Sequence, residues 1–537
     1  MIGIAFTLAL LGLLALGPRL FVVVGAATAT SFLLFTDYGD PIVQLDRIAT
    51  KMESLTTKNV FLSIPFFIAA GSIMTRGGIA KRLTDLARAL VGWLPGGLAV
   101  ASIIACIVFA AISGSSPVTL VAVGAVMFPA LIDSGYPRRF AIGIITSAGS
   151  LGCMIPPAIT MLIYAICVQG RSGEVNPADL FLAGLLPALF IAGLLSLYSV
   201  VIGLQVPGSR QPFAATELLH AGREAAWSLT LPAIVLGGIY GGVFTPTEAG
   251  AVAFAASAVI ACVVHADVSL RQLPGLLVEA ASLIGSLVLI VVLAFGLNDF
   301  LVEVDAAGVI QSWVEEGALS SWEFMLLVNA VLIVIGALMD SISATLVFAP
   351  ILAPVAIDLY GIDPIHFGVV FVVNMEIGYI APPVATNLFV AAAIFRQPFA
   401  EVAKAILPTL GIICAALVAL IYVPTLSTGV LNWRDGREIV ETFPWEPPAA
   451  TGSATEAPPD PTGGAPRVMT MQEMMKASQN AAAGAAAPDP AAPPKVMTMQ
   501  EMMKAAQDAA AKEAPPAADP SATPDATTAP TPAPPAP

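Results

Sequence analysis

The sequence predicts an all-α polytopic membrane protein: about ten spanning helices plus two re-entrant hairpins in an inverted repeat, followed by a disordered C-terminal tail. Three observations predict it. Of the 537 residues, 57% are hydrophobic and only 11% charged, whereas soluble domains carry roughly a quarter charged residues. Apolar stretches of helix-spanning length recur from residue 2 to residue 424. A shift of 226 residues lays one half of the apolar region on the other, superposing Ser115 on Ser341, Gly135 on Gly361, Gly152 on Gly378 and Pro156-Pro157 on Pro382-Pro383.

In chain order, candidate spans lie at 2–17, 18–36, 60–75, 140–170, 178–204, 227–245, 247–266, 280–302, 366–396 and 404–424. The run from Ile2 to Leu16 has no basic segment before it and no small-x-small cleavage pattern after it, so it reads as a span and not as a signal peptide alone. Two long apolar stretches, 97–133 and 323–358, are interrupted by "AISGSSPVT" and by "GALMDSISAT" and "APILAP". Irregular backbone at membrane depth is tolerated only where it is buried in protein or lines a cavity, so each reads as a re-entrant hairpin. Paired Pro/Gly-interrupted segments in two halves of a membrane protein point to a transport site.

The organisation follows. Scaffold helices and an arm occupy 1–96, a first transport half 97–170, further scaffold and arms 171–322, a second transport half 323–397 and a last span 398–440. The region 441–537 is rich in Ala and Pro and too poor in apolar surface to fold alone. It carries a duplication, "RVMTMQEMMKASQNAAA" at 467–483 and "KVMTMQEMMKAAQDAAA" at 495–511. Each copy reads either as a short Met-rich amphipathic helix for a partner or membrane surface, or as a duplicated linker.

Charge orients the halves. Arg76, Lys81, Arg82 and Arg88 precede the first hairpin and Arg138-Arg139 follow it, which argues for a cytoplasmic base. No Lys or Arg occurs between Arg271 and Arg396, and the connection 303–322 holds four acids without a base, which marks an outward-facing loop. The span count puts both termini outside, whereas Arg434 and Arg437 argue the other way. The net charge of −14 divides equally at residue 437, and nothing is basic enough to attract nucleic acid. Five cysteines in apolar runs and three scattered histidines give no metal cluster and no catalytic pair, so the chain is not read as an enzyme.

The motifs "IPFFIAAGSIM" (64–74), "GGIAKRL" (77–83), "AAISGSSPVT" (110–119), "GYPRRFAIG" (135–143), "GCMIPPAITMLIY" (152–164), "IYGGVFTPTEAGAVA" (239–253) and "GIDPIHFGVVFVVNMEIGYIAPPVATNLFVA" (361–391) together resemble the large membrane subunit of TRAP transporters (tripartite ATP-independent periplasmic transporters, DctM type). The resemblance implies an elevator-type ion-transporter fold in a bacterial inner membrane. It implies sodium-driven import of small organic anions, carboxylates such as C4-dicarboxylates. A periplasmic solute-binding protein and a small four-helix membrane subunit would be the partners, with sodium as coupling ion and no cofactor. The alternative is a standalone divalent-anion/sodium symporter that needs no binding protein. A passive channel would show single-channel currents and indifference to the sodium gradient.

Within that resemblance, sodium requires hard oxygen ligands, which broken helices supply as carbonyls. The first site is expected from Ser113, Ser115 and Ser116 facing Gly152, Ile155 and Pro156. The repeat places the second at Gly336, Asp340 and Ser341 facing Gly378 and Ala381. Substrate-binding candidates are Ser116, Pro157, Asn374, Pro383, Thr386 and Asn387. The blander reading is that Ser and Gly let membrane helices approach closely. Asp340 differs, since a carboxylate in an apolar run is expensive; it serves either a cation or a helix N-cap. Glu376 is a further acid of this kind. Thr386 and Asn387 would bind substrate or cap the resumed helix.

Two departures from the family pattern stand out. The usual TPPVG becomes Ala381-Pro382-Pro383-Val384-Ala385, which removes a threonine hydroxyl, and a proline, Pro117, follows Ser116. The "TPTE" at 245–248 reads as a helix-starting capping box and not as transport chemistry. No Lys or Arg lies in either tip or beside either Pro-Pro, so an anion would rely on helix N-termini and hydroxyls.

Overall fold

A computed structural model describes residues 20–35, 50, 59–168, 175–206, 212–382 and 385–444. The chain divides into two units, Met1–Ser453 and Ala454–Pro537. Every described residue lies in the first, and the expected 2–17 span and both tail copies lie outside the described residues.

The described residues are helical, with no strand. Helix α1 is Leu20–Phe35, α2 Ser63–Arg76, α3 Ile79–Val91, α4 Gly97–Ser113 and α5 Ser116–Asp133. Next come α6 Arg138–Ser150 and α7 Ile159–Cys167, separated by the first Pro-Pro, then α8 Pro177–Gly203, α9 Ala215–Tyr240 and α10 Pro246–Val259, which ends in a π-turn. After them come α11 Leu273–Glu303, α12 Ala306–Glu316, α13 Ser321–Leu338 and α14 Ser341–Pro354. The series closes with α15 Pro364–Ile380 and α16 Thr386–Phe395 on either side of the second Pro-Pro, then α17 Phe399–Tyr422 and α18 Thr425–Arg434.

The helix starts follow from their first residues. Pro177 opens α8 behind Asn176, whose side chain accepts from the Ala178 N–H at 3.0 Å. Asp363 accepts from the N–H groups of Ile365 and His366 ahead of α15, with Pro364 in the first turn. At α10 the expected capping box is present: Thr245 Oγ1 accepts from the Glu248 N–H, and Glu248 accepts from the Thr245 N–H at 2.8 Å. Ser320 and Glu323 repeat that device at α13. Each satisfies amide donors that a helix start leaves open.

Two helices form the centre. Every residue from Phe140 to Ser150 and from His366 to Ile380 is buried, as expected where apolar surface runs round the whole circumference. The second arm of each interrupted helix pair packs on the other half: α5 lies against α16, and α14 lies against α7. First arm α13 packs along α15, while α5 also packs on α6. Outside these, α1 packs on α11, α2 on α10, α3 on α9 and α17 on α6.

Six helices among the described residues are long and apolar enough to cross a membrane by length and composition. Three of the six, Ser116–Asp133, Ser321–Leu338 and Ser341–Leu359, lie in the stretches expected as re-entrant hairpins, while the breaks keep α6, α7, α15 and α16 short. Two differences concern segments between spans. The 303–322 connection contains helix α12, since "AAGVIQSWVEE" places Val314 inward while its acids stay exposed; the absence of bases spoke to its side, not to its conformation. The basic arm forms α3, with Ile79, Leu83 and Ala87 buried. Helix α9 starts at Ala215, ahead of the expected 227.

The capping geometry gives a direct expectation. Thr245→Ala should lower stability by about 1 kcal/mol, read as a reduced midpoint in denaturant unfolding of the detergent-solubilised protein. An unchanged midpoint would contradict the capping role.

Candidate functional site

The site is built where the two helix-pair tips meet the two Pro-Pro breaks. A helix closes each turn with the N–H of residue i+4, and proline has none. Pro156 and Pro157 therefore deprive the Gly152 and Cys153 carbonyls of helical donors, and Pro382 and Pro383 do the same for Gly378 and Tyr379. The Pro156–Pro157 bond is cis.

The first tip is folded over the first break. Gly114 has φ +59°, and a Cβ there would lie 2.3 Å from the Pro157 carbonyl oxygen. A Cβ on Gly152 would stand 2.9 Å from Ser116 Cα and 3.0 Å from the Ser115 carbonyl oxygen. Glycine is needed at both positions, the first for its dihedral and both for the close approach. At the tip, Ser113 Oγ is 2.9 Å from Thr119 Oγ1, and the Thr119 hydroxyl donates to the Ser115 carbonyl. Ser113 and Ser116 are buried and Ser115 is half-buried. Ser113, Ser115, Ser116, Gly152, Pro156 and Pro157 thus belong to one cluster, with buried Ile155 on the same break.

The second tip is arranged differently. Gly336 lies within α13 and not at the tip, and it packs on Gly378 so tightly that a Cβ on Gly378 would be 2.5 Å from the Gly336 Cα. The tip residue Asp340 caps α14, accepting the Ser343 N–H on Oδ2 at 3.0 Å, while its buried Oδ1 has no hydrogen-bond partner. Of the two sequence readings of Asp340, the helix N-cap is the one present in these hydrogen bonds. Ser341 Oγ donates to the Tyr379 hydroxyl at 2.9 Å and lies 3.2 Å from Thr160 Oγ1. Ala381 is buried and offers a methyl where the family pattern has a hydroxyl. The second break is tied to the tip arm by Ala385 N–H donating to the Ala337 carbonyl at 3.2 Å. Ala385 has φ +45°, in the left-handed region that favours glycine.

The halves exchange residues. Asn387, just past the second break, donates to Ser116 Oγ of the first tip at 2.5 Å. Thr160, just past the first break, reaches Ser341 of the second tip. Between the breaks, Ser150 donates to buried Glu376 at 3.1 Å, across a separation of 226 residues that equals the sequence shift. Five buried oxygens around these elements lack protein partners: Asp340 Oδ1, Ser343 Oγ, Asn374 Oδ1, Glu376 Oε2 and Asn387 Oδ1. Native interiors leave few polar atoms unpaired.

The other nominees are placed less centrally. The Asn374 amide is spent on Asn329 and on the Val370 carbonyl. Thr386 is exposed in the first turn of α16, and Pro383 lies outside the described residues. Sequence reasoning passed over Thr160, Tyr379, Ser150 and Asn329. Ser150 and Tyr379 carried a signal, since the same shift maps Ser150 on Glu376 and Cys153 on Tyr379.

With this geometry in view, the comparisons are specific. The family described as tripartite ATP-independent periplasmic transporter, DctM component, matches residues 7–426. The chain belongs to this family. It is similar to the C4-dicarboxylate TRAP transporter large permease protein DctM of Pseudomonas aeruginosa, 41% identical over 76% of this chain and 93% of that one. The Rhodobacter capsulatus protein of the same description is 38% identical over 79% and 97%. Among solved structures, the YdaH transporter of Alcanivorax borkumensis shares the fold, with TM-score 0.56 and 15% identity over 79% of this chain and 98% of that one. This DctM-family chain is a multi-pass membrane protein and a TRAP large permease subunit, and its named relatives are transporters, not enzymes.

Two backbone positions test the break geometry of this permease. Gly378→Ala drives a methyl into the Gly336 backbone and should destabilise the protein by about 2 kcal/mol or more. Ala385→Gly relieves a left-handed alanine and should be neutral or stabilising by up to about 1 kcal/mol. Thermal melting of both variants in one detergent checks the opposite signs.

Proposed function

We propose that this permease imports small organic anions, carboxylates such as C4-dicarboxylates, across a bacterial inner membrane in symport with sodium. A periplasmic solute-binding protein delivers the anion, and a small four-helix subunit completes the complex. The observation that carries the reading is the pair of cross-latched tip-and-break clusters, with donorless carbonyls at both breaks, unpartnered buried oxygens on the second half and, among the described residues, no Lys or Arg in the hydrogen bonds of either tip. Oxygen-rich, base-free pockets suit sodium, whose positive charge then supports an anion that no basic side chain holds.

In this reading the first ion rests on Ser113, Ser115, Ser116 and the carbonyls near Gly152, Ile155 and Pro156. The second rests on Asp340, Ser341 and the carbonyls near Gly378 and Ala381, with Gly336 fixing the approach. Ser116, Pro157, Asn374, Pro383, Thr386 and Asn387 border the anion. The two tip-and-break halves form an inverted repeat of re-entrant hairpins and move together against the surrounding helices in an elevator cycle. Their mutual latches favour motion as one body, because Asn387–Ser116 and Thr160–Ser341 bonds join each half to the other. Relatives described for C4-dicarboxylates support the substrate class.

Uptake of succinate into proteoliposomes tests this. Transport should require sodium inside the assay buffer, the binding protein and the small subunit. Asp340→Ala and Ser115→Ala should each raise the sodium concentration for half-activation by about tenfold, one ligand's worth of free energy. Transport without binding protein would refute the tripartite reading. Unchanged sodium activation in both variants would refute the ligands.

A further inference from the structure

We infer that Tyr379 is a substrate-recognising residue, whose phenol O–H donates to a carboxylate of the transported anion. The inference rests on the import reading above and assigns a residue that reading leaves out.

The direction of the hydrogen bonds carries it. Ser341 Oγ donates its single proton to Tyr379 at 2.9 Å. The 3.2 Å contact between Thr160 and Ser341 must then be donated by Thr160, because a serine hydroxyl has one proton. The result is a one-way chain from Thr160 through Ser341 to Tyr379. Such chains polarise their members, so the last donor is the strongest. That last donor is the Tyr379 O–H, for which no acceptor is found among the described residues. An acceptor from outside is the natural complement, and a carboxylate is the strongest acceptor available among organic solutes.

Position agrees with chemistry. All three residues are buried, Tyr379 the least completely at 8% exposed. Tyr379 lies in the last turn of α15, two residues before the end of its buried run at Ala381 and close in sequence to the exposed Pro382 and Thr386. A basic group would hold an anion more tightly, yet among the described residues no Lys or Arg takes part in the hydrogen bonds of either tip. An aromatic hydroxyl supplies a directed bond without a fixed charge, which lets the anion leave.

The experiment uses the full chain with its small subunit and binding protein in proteoliposomes, and succinate as the probe. Tyr379→Phe keeps the ring and removes the donor. Its KM for succinate should rise about tenfold at saturating sodium, the loss of one bond to a charged group. Thr160→Val removes the head of the chain and keeps the phenol, so KM should rise by a smaller factor, about threefold. If Tyr379 only braced the tip, Tyr379→Phe would shift the sodium concentration for half-activation in step with KM, and that result overturns the proposal. A wild-type KM in a folded Tyr379→Phe protein overturns it as well. Failure of the wild-type complex to accumulate succinate overturns instead the import reading on which the proposal stands.

Discussion

A proline cannot close a helical turn, and inside a membrane the carbonyl it abandons has no water to turn to. This constraint organises the protein around Pro156-Pro157 and Pro382-Pro383. Four carbonyls lose their helical donors there, and the tips fold over the breaks. Gly114 sits against the Pro157 carbonyl, and Ala385, just past the second break, donates to the Ala337 carbonyl of the tip arm.

The glycines make that mutual cover geometrically feasible. Gly152 and Gly378 occupy equivalent places before their breaks, and each touches backbone of its own helix pair. At such distances a hydrogen is the only side chain that fits. At both positions the packing reading holds: the glycine lets two backbones approach.

Much of this was legible in the residues. The 226-residue shift located both breaks and both interrupted pairs, because proline, glycine and small polar residues in apolar runs have few structural meanings. The capping box at Thr245–Glu248 was legible for a similar reason: local hydrogen bonds are written in local sequence. The cross-latches were not. Asn387–Ser116 spans 271 residues and Thr160–Ser341 spans 181, and no local pattern announces a partner at that distance. Helix α12 was missed because charge reports which side of a membrane a segment faces, whereas its shape follows from the spacing of Val309, Ile310, Trp313 and Val314. The length of the spans was also obscured, since an apolar run of 140–170 looks continuous until the prolines are given their steric weight.

The two halves share a plan but not its chemistry, and the asymmetry has a physical reading. The first tip is a run of serines closed on itself through Ser113 and Thr119. The second has an acid, a methyl at Ala381 and an alanine held at φ +45°. At the matched positions Ser150 faces Glu376, and Cys153 corresponds to Tyr379, so the second half carries the acids and the phenol while the first carries neutral, small groups. Asp340 and Tyr379 thus lie on one side, an acid and a phenol where the 226-residue shift places Gly114 and Cys153 on the other. Identical residues at the matched positions would make the two sides chemically alike; these substitutions make them differ in charge and in hydrogen-bonding capacity.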